Sequence, residues 1–204
     1  MPRSPGRSGC GRAGWGVVTG VVVAAWPAGG HPAAAQAPGQ VGPGTGAGVI
    51  ASPTVTVTPA ASADGIVRSG PAELEQLYRS AGPGQMPRGW VRGLPIVAPG
   101  SRFGPAASRA GRLVWQGKIF RDDGATAVNR FFGVRAVRGK VSHGPSWVDG
   151  RPSLLLDYRG TSRVYGRYRD EIREVAPGLY LGVMFARTRP RPTFTRFFAF
   201  EARP

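Results

Sequence analysis

The chain has 204 residues and a formal net charge of +16 at pH 7, with 27 Lys and Arg against 11 Asp and Glu. Its single cysteine excludes an intramolecular disulfide, and its two histidines argue against a His-rich metal site. Neither a metal site nor a bound cofactor is therefore expected.

The positive charge is compatible with an anionic partner such as nucleic acid, a membrane surface or a polysaccharide. Arginine, glycine and proline are also the residues that GC-rich codons favour, and we weigh this compositional explanation higher. The arginines are dispersed, and no helix-turn-helix, RNA-binding or zinc-finger signature organises them. Specific nucleic-acid recognition is therefore not predicted, whereas binding to an anionic surface stays open.

Residues 1–35 have the organisation of a secretory signal peptide. Three arginines precede the uncharged apolar run Gly16 to Trp26, which is too short to span a bilayer, since a spanning helix needs about 20 residues. Small residues follow, and we place cleavage before Gln36, with cleavage after Ala37 as second choice and an uncleaved anchor as the alternative. Cleavage would remove Cys10 and leave 24 Lys and Arg against 11 acids, a charge of +13. The sequence therefore predicts export to the periplasm or beyond, with no transmembrane span after cleavage.

Residues 36–70 are rich in Gly, Pro and Ala and carry few large apolar side chains, which predicts a disordered linker. The change in composition at Pro71 marks the start of a single domain over 71–204. Pro71 suits the first position of a helix, and Leu74, Leu77 and Tyr78 follow at helical spacing. We expect a short amphipathic helix that covers one end of the fold.

After Gly89 the chain alternates with a period near two and has turn residues about every ten positions, which is typical of an antiparallel meander. The predicted strands and turns are 111–120, 129–141 with a bulge near Arg138 and Gly139, a hairpin at Asp149-Gly150, 153–159, 165–175, a turn at Pro177-Gly178, 179–185, and a last strand with Phe194, Phe198 and Phe200. In the first of these, Trp115 and Ile119 are expected on one face and Lys118 on the other. Roughly seven or eight such strands most simply close into a small up-and-down barrel. The predicted fold class is mainly β.

Several motifs resemble uncharacterised bacterial lipocalin-like proteins, and are similar to the domain of unknown function that partners GXWXG domains. These motifs are Trp115-x-Gly117-Lys118-x-Phe120, Asn129, Ser146-Trp147-x-Asp149-Gly150, Leu156-Asp157-Tyr158, Arg169-Asp170-Glu171-x-Arg173 and Pro177-Gly178-x-x-Leu181-Gly182. The resemblance covers about residues 72 to 202 and implies a barrel with no established substrate. Trp90 stands one position off the centre of a GXWXG motif, so the companion motif is absent.

The candidate ligand-binding residues are Trp115, Lys118, Asp157, Tyr158, Arg169, Asp170 and Arg173. In a strand, Asp170 shares a face with Tyr168 and Ile172, while Arg169, Glu171 and Arg173 share the other face. An inward carboxylate needs a partner, which Asp157 or an arginine of a neighbouring strand would supply. The cluster is therefore either a polar anchor in an apolar pocket or a structural ion-pair network.

No catalytic residues are predicted. His143, in a predicted Ser-His-Gly-Pro-Ser turn, is a candidate haem ligand or general base. Either role is remote, because no second histidine follows the predicted signal peptide. Trp147 and Tyr168 are further candidates to line a pocket. The first hypothesis is a non-enzymatic barrel for a small apolar or amphipathic ligand, and the second is a module that binds an anionic polymer or membrane. The third is a hydrolase with an acid pair drawn from Asp149, Asp157, Asp170 and Glu171.

Overall fold

The computed structural model describes residues 62–202, which form a closed antiparallel barrel of eight strands. The predicted signal peptide, its cleavage before Gln36 and the linker up to residue 61 lie outside the described residues. The elements, in chain order, are α1 Ala63–Ile66, α2 Pro71–Ser80, β1 Gly89–Pro95, α3 Gly104–Gly111, β2 Trp115–Phe120, β3 Thr126–Phe131, β4 Val134–Pro145, β5 Pro152–Asp157, β6 Tyr168–Ala176, β7 Leu179–Ala186 and β8 Thr193–Ala202.

Each strand pairs with the next one along the chain, and β1 closes the barrel by pairing with β8. The prediction of an up-and-down barrel is confirmed. Because successive strands run in opposite directions, connections 96–114, 132–133, 158–167 and 187–192 all emerge at one end, which we call the rim. Connections 121–125, 146–151 and 177–178 emerge at the opposite end, the base.

The wall of the barrel is buried on both of its faces along β7 and β8. On β7, Tyr180 faces the lumen together with Phe200 of β8, whereas Leu181 and Ala199 face outwards beneath the helices. Helix α2 lies on this outer face rather than over an end of the barrel, so the expected lid is wrong. Because both faces of the sheet are buried here, apolar and polar residues alternate less clearly along these strands than along strands with one face in water.

The structured domain begins earlier than Pro71. Ser62 caps α1 by accepting a hydrogen bond from Gly65 N, and Ala63, Ile66 and Val67 are buried in the core beneath the helices. Residues 62–70 therefore belong to the folded unit and not to a disordered linker. Helix α3, for which no pattern in the sequence was found, packs against β1.

A β-bulge in β2 overturns the predicted faces of that strand. Trp115 pairs with Phe131 and Gly117 pairs with Arg130, so Gln116 is an extra residue that changes the phase of the strand. Trp115 and Lys118 consequently both point into the lumen, although they are three residues apart.

The strand predicted over 129–141 is instead a hairpin, with a two-residue turn at Phe132-Gly133. The predicted change of phase is real, but the bulged residue is Val137, just before the predicted Arg138 and Gly139. Val128 pairs with Arg138 and Asn129 with Ala136, which leaves Val137 unpaired with a φ of 59°.

Of the two turns predicted at the base, one is wrong and one is confirmed. The two-residue hairpin expected at Asp149-Gly150 is a six-residue connection, because the ladder ends at the pair of Pro145 with Pro152. Pro177-Gly178 does join two strands, with Gly178 at a φ of 70°. The ambiguous segment 165–175 is a strand from Tyr168, as predicted.

Candidate functional site

Three strands and the connection that follows β5 carry polar side chains into the lumen, where they meet in one cluster. The bulge in β2 directs Lys118 and Trp115 inwards, β3 contributes Asn129, Tyr158 follows the end of β5, and β6 contributes Asp170. These five residues, which we call the lumen cluster, are all buried.

Lys118 is the centre of the lumen cluster. Its ammonium donates to Asp170 Oδ2 at 2.7 Å, Asn129 Oδ1 at 2.9 Å and Tyr158 Oη at 3.1 Å. An ammonium has three protons, so this set uses all of its donors. Tyr158 in turn donates to Asp170 Oδ2 at 2.6 Å, and Trp115 Nε1 donates to Asn129 Oδ1 at 3.0 Å.

Burial controls the protonation of this cluster. Lys118 is 2% exposed, and desolvation lowers the pKa of its ammonium, while the adjacent Asp170 carboxylate opposes that shift. Desolvation, reinforced by the negative charge of Asp170, raises the pKa of Tyr158 well above its ordinary value of 10.0. The phenol is therefore neutral at physiological pH and serves as a hydrogen-bond donor rather than as a base.

One carboxylate oxygen of the lumen cluster accepts no hydrogen bond from the described residues. Asp170 is 3% exposed, and its Oδ2 accepts from Lys118 and Tyr158, but its Oδ1 is buried without a hydrogen-bond partner among the described residues. A buried acceptor without a donor costs about 1–3 kcal/mol. This oxygen would be stabilised by a donor that enters the lumen.

A cavity of about 100 Å³ lies beside the lumen cluster. Its lining combines aromatic side chains, the cluster itself and one further cation; the residues are Pro95, Val114, Trp115, Lys118, Asn129, Phe131, Tyr158, Tyr165, Tyr168, Asp170, Met184, Arg196 and Phe198. The members from the lumen cluster are buried and form the floor. Val114, Tyr165 and Met184 are half-buried and belong to the rim end, so the mouth of the cavity opens towards the rim.

The structure brings together four of the seven predicted ligand-binding residues. Trp115, Lys118, Tyr158 and Asp170 line the cavity. The partner of Asp170 is Lys118, neither Asp157 nor an arginine, which corrects the predicted pairing.

The other three candidates point away from the lumen. Arg173 forms a bidentate pair with Asp149 and also donates to the backbone carbonyl of Tyr78. Its buried guanidinium thereby joins α2 to connection 146–151, and the hydrogen bond with Asp149 raises its pKa against the opposing effect of burial. These contacts make Arg173 a structural residue.

Arg169 and Asp157 also lie on the outer face. Arg169 pairs with Glu171 at 2.8 Å and stacks over the ring of Trp147 at 4.1 Å, and Asp157 pairs with Arg187 at 2.7 Å. The predicted split of faces along β6 is thus correct, and its outward members serve the ion-pair network that we held open as the alternative to a ligand anchor.

Asn129, Tyr165, Met184 and Arg196 are cavity residues that the candidate set omits. Asn129 could have been found, because it shares the inward face of β3 with Ala127 and Phe131. Arg196 could not, since a register shift opposite Met184 and Phe185 sets its face.

The remaining candidates are not at the cavity. His143 is exposed on β4 opposite Leu154 rather than in a turn, and Trp147 packs on the outer face against Phe185. Of the four carboxylates considered for an acid pair, Asp170 lines the cavity, while Asp149, Asp157 and Glu171 form ion pairs outside it. Within residues 62–202, no group of three His, Cys, Asp or Glu side chains is placed to hold a metal ion.

The fold and this site define an eight-stranded barrel with a small lumen cavity that has a charged floor. No protein-family model matches the chain, and no curated protein matches it either. A solved structure that resembles it, a protein from Thermomonospora curvata, is 17% identical over 67% of this chain and 90% of that one, with a TM-score of 0.43. In the part of the chain that the structure describes, no helix is both long and apolar enough to cross a bilayer.

Proposed function

We propose that this protein is an exported, non-enzymatic, lipocalin-like barrel that binds a small amphipathic molecule in its lumen. The observation that carries the proposal is the cavity with an orphaned carboxylate oxygen on its floor. Ligand sites are typically apolar clefts with a few convergent polar groups, and this cavity has that composition.

The size of the cavity limits the part of the ligand that enters. A cavity of roughly 150 Å³ accommodates benzene, and the lumen cavity measures about 100 Å³. The cavity is therefore smaller than one that encloses a whole benzene ring, so only a short branched chain or one edge of a ring enters beside Trp115 and Phe198. The remainder of the ligand would extend through the mouth past Arg196.

The floor selects the chemistry of that group. Asp170 Oδ1 is an acceptor, whereas the protons of Lys118 are already engaged, so an entering group gains most if it donates a hydrogen bond. Hydroxyl, amine and amide groups meet this requirement. A ligand that is purely hydrocarbon would leave the oxygen unpaired.

The same geometry argues for binding rather than catalysis. A nucleophilic or basic lysine needs an accessible lone pair, yet Lys118 Nζ is buried and faces three hydrogen-bond acceptors, a geometry that holds it as a donor. Tyr158 is neutral because its pKa is raised. The hydrogen bonds among these buried residues hold a fixed polar surface.

Two ring compounds of matched shape test the proposal, namely 4-methylphenol, which has a donor, and 1,4-dimethylbenzene, which lacks one. Calorimetry should show tighter binding of 4-methylphenol. Met184→Trp at the cavity mouth should block binding, whereas Met86→Trp, a matched change of another half-buried residue that does not line the cavity, should not. Binding of neither compound, or equal losses in both variants, would overturn the assignment.

Export is tested separately by the intact mass of the protein recovered from its own host. We expect a chain that begins at Gln36, and native mass spectrometry of the same sample should show a bound passenger of low mass. A chain that retains residues 1–35 would refute the export proposal and leave the ligand proposal unaffected.

A further inference from the structure

Three exposed apolar side chains lie together at the rim. Leu113 is 74% exposed, Phe132 54% and Val134 59%. Phe132 N donates to the carbonyl of Val114, next to Leu113, at 3.0 Å, and Phe131 pairs with Val134 across the hairpin. We call Leu113, Phe132 and Val134 the apolar tip.

Phe132 is unfavourable there for two independent reasons. Its φ is 48° and that of Gly133 is 80°, the pattern of a two-residue type I′ turn, in which Asn-Gly is strongly preferred. A bulky side chain at positive φ is strained, and this one is also exposed to water. A strained and exposed aromatic side chain marks a candidate contact with a partner.

The rim next to the apolar tip is strongly basic. Connections 158–167 and 187–192 each contain three arginines and no acid. Arg187 pairs with Asp157, while the other five arginines, Arg159, Arg163, Arg167, Arg189 and Arg191, are exposed. The ring of Tyr165, in the first of these connections, contacts Phe131 at 5.9 Å between centroids, so the basic connections and the tip adjoin.

The base of the barrel lacks this excess of positive charge. Connections 121–125 and 146–151 contain three acids, Asp122, Asp123 and Asp149, and two arginines. The net charge of the chain is therefore not spread evenly over the two ends, and an anionic surface would orient the barrel with its rim facing that surface.

From this arrangement we infer that the rim docks on an anionic lipid membrane, with the apolar tip in the interface and the neighbouring arginines on the headgroups. Lipid is favoured over a nucleic acid or polysaccharide because exposed Leu, Phe and Val gain free energy by entering a bilayer interface. In this orientation the mouth of the lumen cavity faces the membrane. The docking surface does not depend on the ligand proposed above, and either proposal can fail alone.

Two pairs of variants test the docking surface in a vesicle co-sedimentation assay. The protein is used as recovered from the expressing cell, with its mass measured so that all variants have the same N-terminus. Phe132→Asn removes the tip side chain and installs the preferred turn residue, so its fold should persist. Its control is Trp90→Asn, which removes an exposed aromatic side chain at the end of β1 that borders the base.

We expect binding to vesicles of phosphatidylglycerol and phosphatidylcholine in equal amounts, and little binding to pure phosphatidylcholine. Phe132→Asn should weaken binding about tenfold, from the loss of one partly buried aromatic. The double variant R163Q/R189Q at the rim should weaken it roughly 30-fold at low salt. Trp90→Asn should have no such effect, nor should R88Q/R121Q, which removes the same charge near the base.

Three results would overturn the inference. The first is no preference for anionic vesicles. The second is equal loss in the two double variants, which would mean that net charge alone governs binding. The third is vesicle binding by Phe132→Asn that equals that of the unchanged protein. Heparin binding that is tighter than vesicle binding, and equal for Phe132→Asn and the unchanged protein, would have the same meaning, because it would indicate a polyanion instead of a membrane.

Discussion

Lys118→Met is the most informative single change, because it removes the cation from a carboxylate that is buried. In the native barrel, Asp170 Oδ2 is 2.7 Å from the ammonium of Lys118 and both side chains are shielded from water. Breaking a buried pair from one side typically costs about 3–5 kcal/mol, because the remaining charge loses its partner without regaining water. That is a large part of the 5–15 kcal/mol that an ordinary domain has in total.

The coupling between the two residues gives the prediction its control. Asp170→Asn should also destabilise the barrel, since it strands the ammonium, yet the double variant K118M/D170N should cost at least about 2 kcal/mol less than the sum of the single changes. Urea unfolding, followed by circular dichroism with m-values compared, measures all three. If the destabilisation of the double variant equals the sum of the two single losses to within about 0.5 kcal/mol, the two side chains do not form a desolvated pair in solution. The description of the cavity floor would then be wrong.

Three further predictions follow from buried groups and from backbone geometry. Burial raises the pKa values of Tyr78 and Tyr180 to about 12, against 10.0 in the unfolded chain, so the folded state holds protons that the unfolded state releases. Their contribution to the free energy of unfolding is therefore complete below pH 10 and is lost as the pH rises towards 12, by about 1.4 kcal/mol per tyrosine per pH unit. A free energy of unfolding in urea that stays constant from pH 10 to pH 12 would contradict this prediction. Arg173→Met should cost several-fold more stability than Arg187→Met, because the Arg173 pair with Asp149 is buried and the Arg187 pair with Asp157 is half-exposed; comparable melting temperatures would argue against this difference. Gly117→Ala should prevent folding or cost more than about 3 kcal/mol, because at a φ of 123° its Cβ would meet the Val91 carbonyl and the backbone of Gly93. Gly133→Ala, at positive φ but in open space, should cost only about 1 kcal/mol, and equal losses for the two glycines would refute the close approach of β1 and β2.

The barrel itself could be predicted because its signals are local. Alternation along 153–159 places Leu154, Leu156 and Tyr158 on one face, and Pro177-Gly178 specifies a turn between neighbouring strands. Such signals can be recognised without information about distant contacts. If each strand pairs antiparallel with the next one along the chain, few sheet topologies are possible. The missed helix α3 carries a weaker signal, since its eight residues contain two glycines and one proline.

The cavity could be predicted only in part, because bulges decide which side chains enter it. Lys118 lies three residues from Trp115, and in a regular strand the two would face opposite ways. The bulge that unites them depends on Gly117, whose positive φ and contact with β1 are tertiary features. A period-two pattern holds between bulges and changes phase at each one, so faces on either side of a bulge have to be assigned separately.

The charges of β6 show why clustering in sequence is a poor guide to clustering in space. Arg169, Asp170, Glu171 and Arg173 are contiguous or nearly so, and the wall of the barrel separates Asp170 from the other three. A binding site on that strand was expected because charged residues next to apolar ones need partners. What the sequence does not reveal is that the outer face is also covered, by α2 and by connection 146–151, so that Arg173 needs a partner as much as Asp170 does. Two independent polar networks, one on each face of a single strand, produce one run of charges in the sequence, and only the inward network adjoins a cavity.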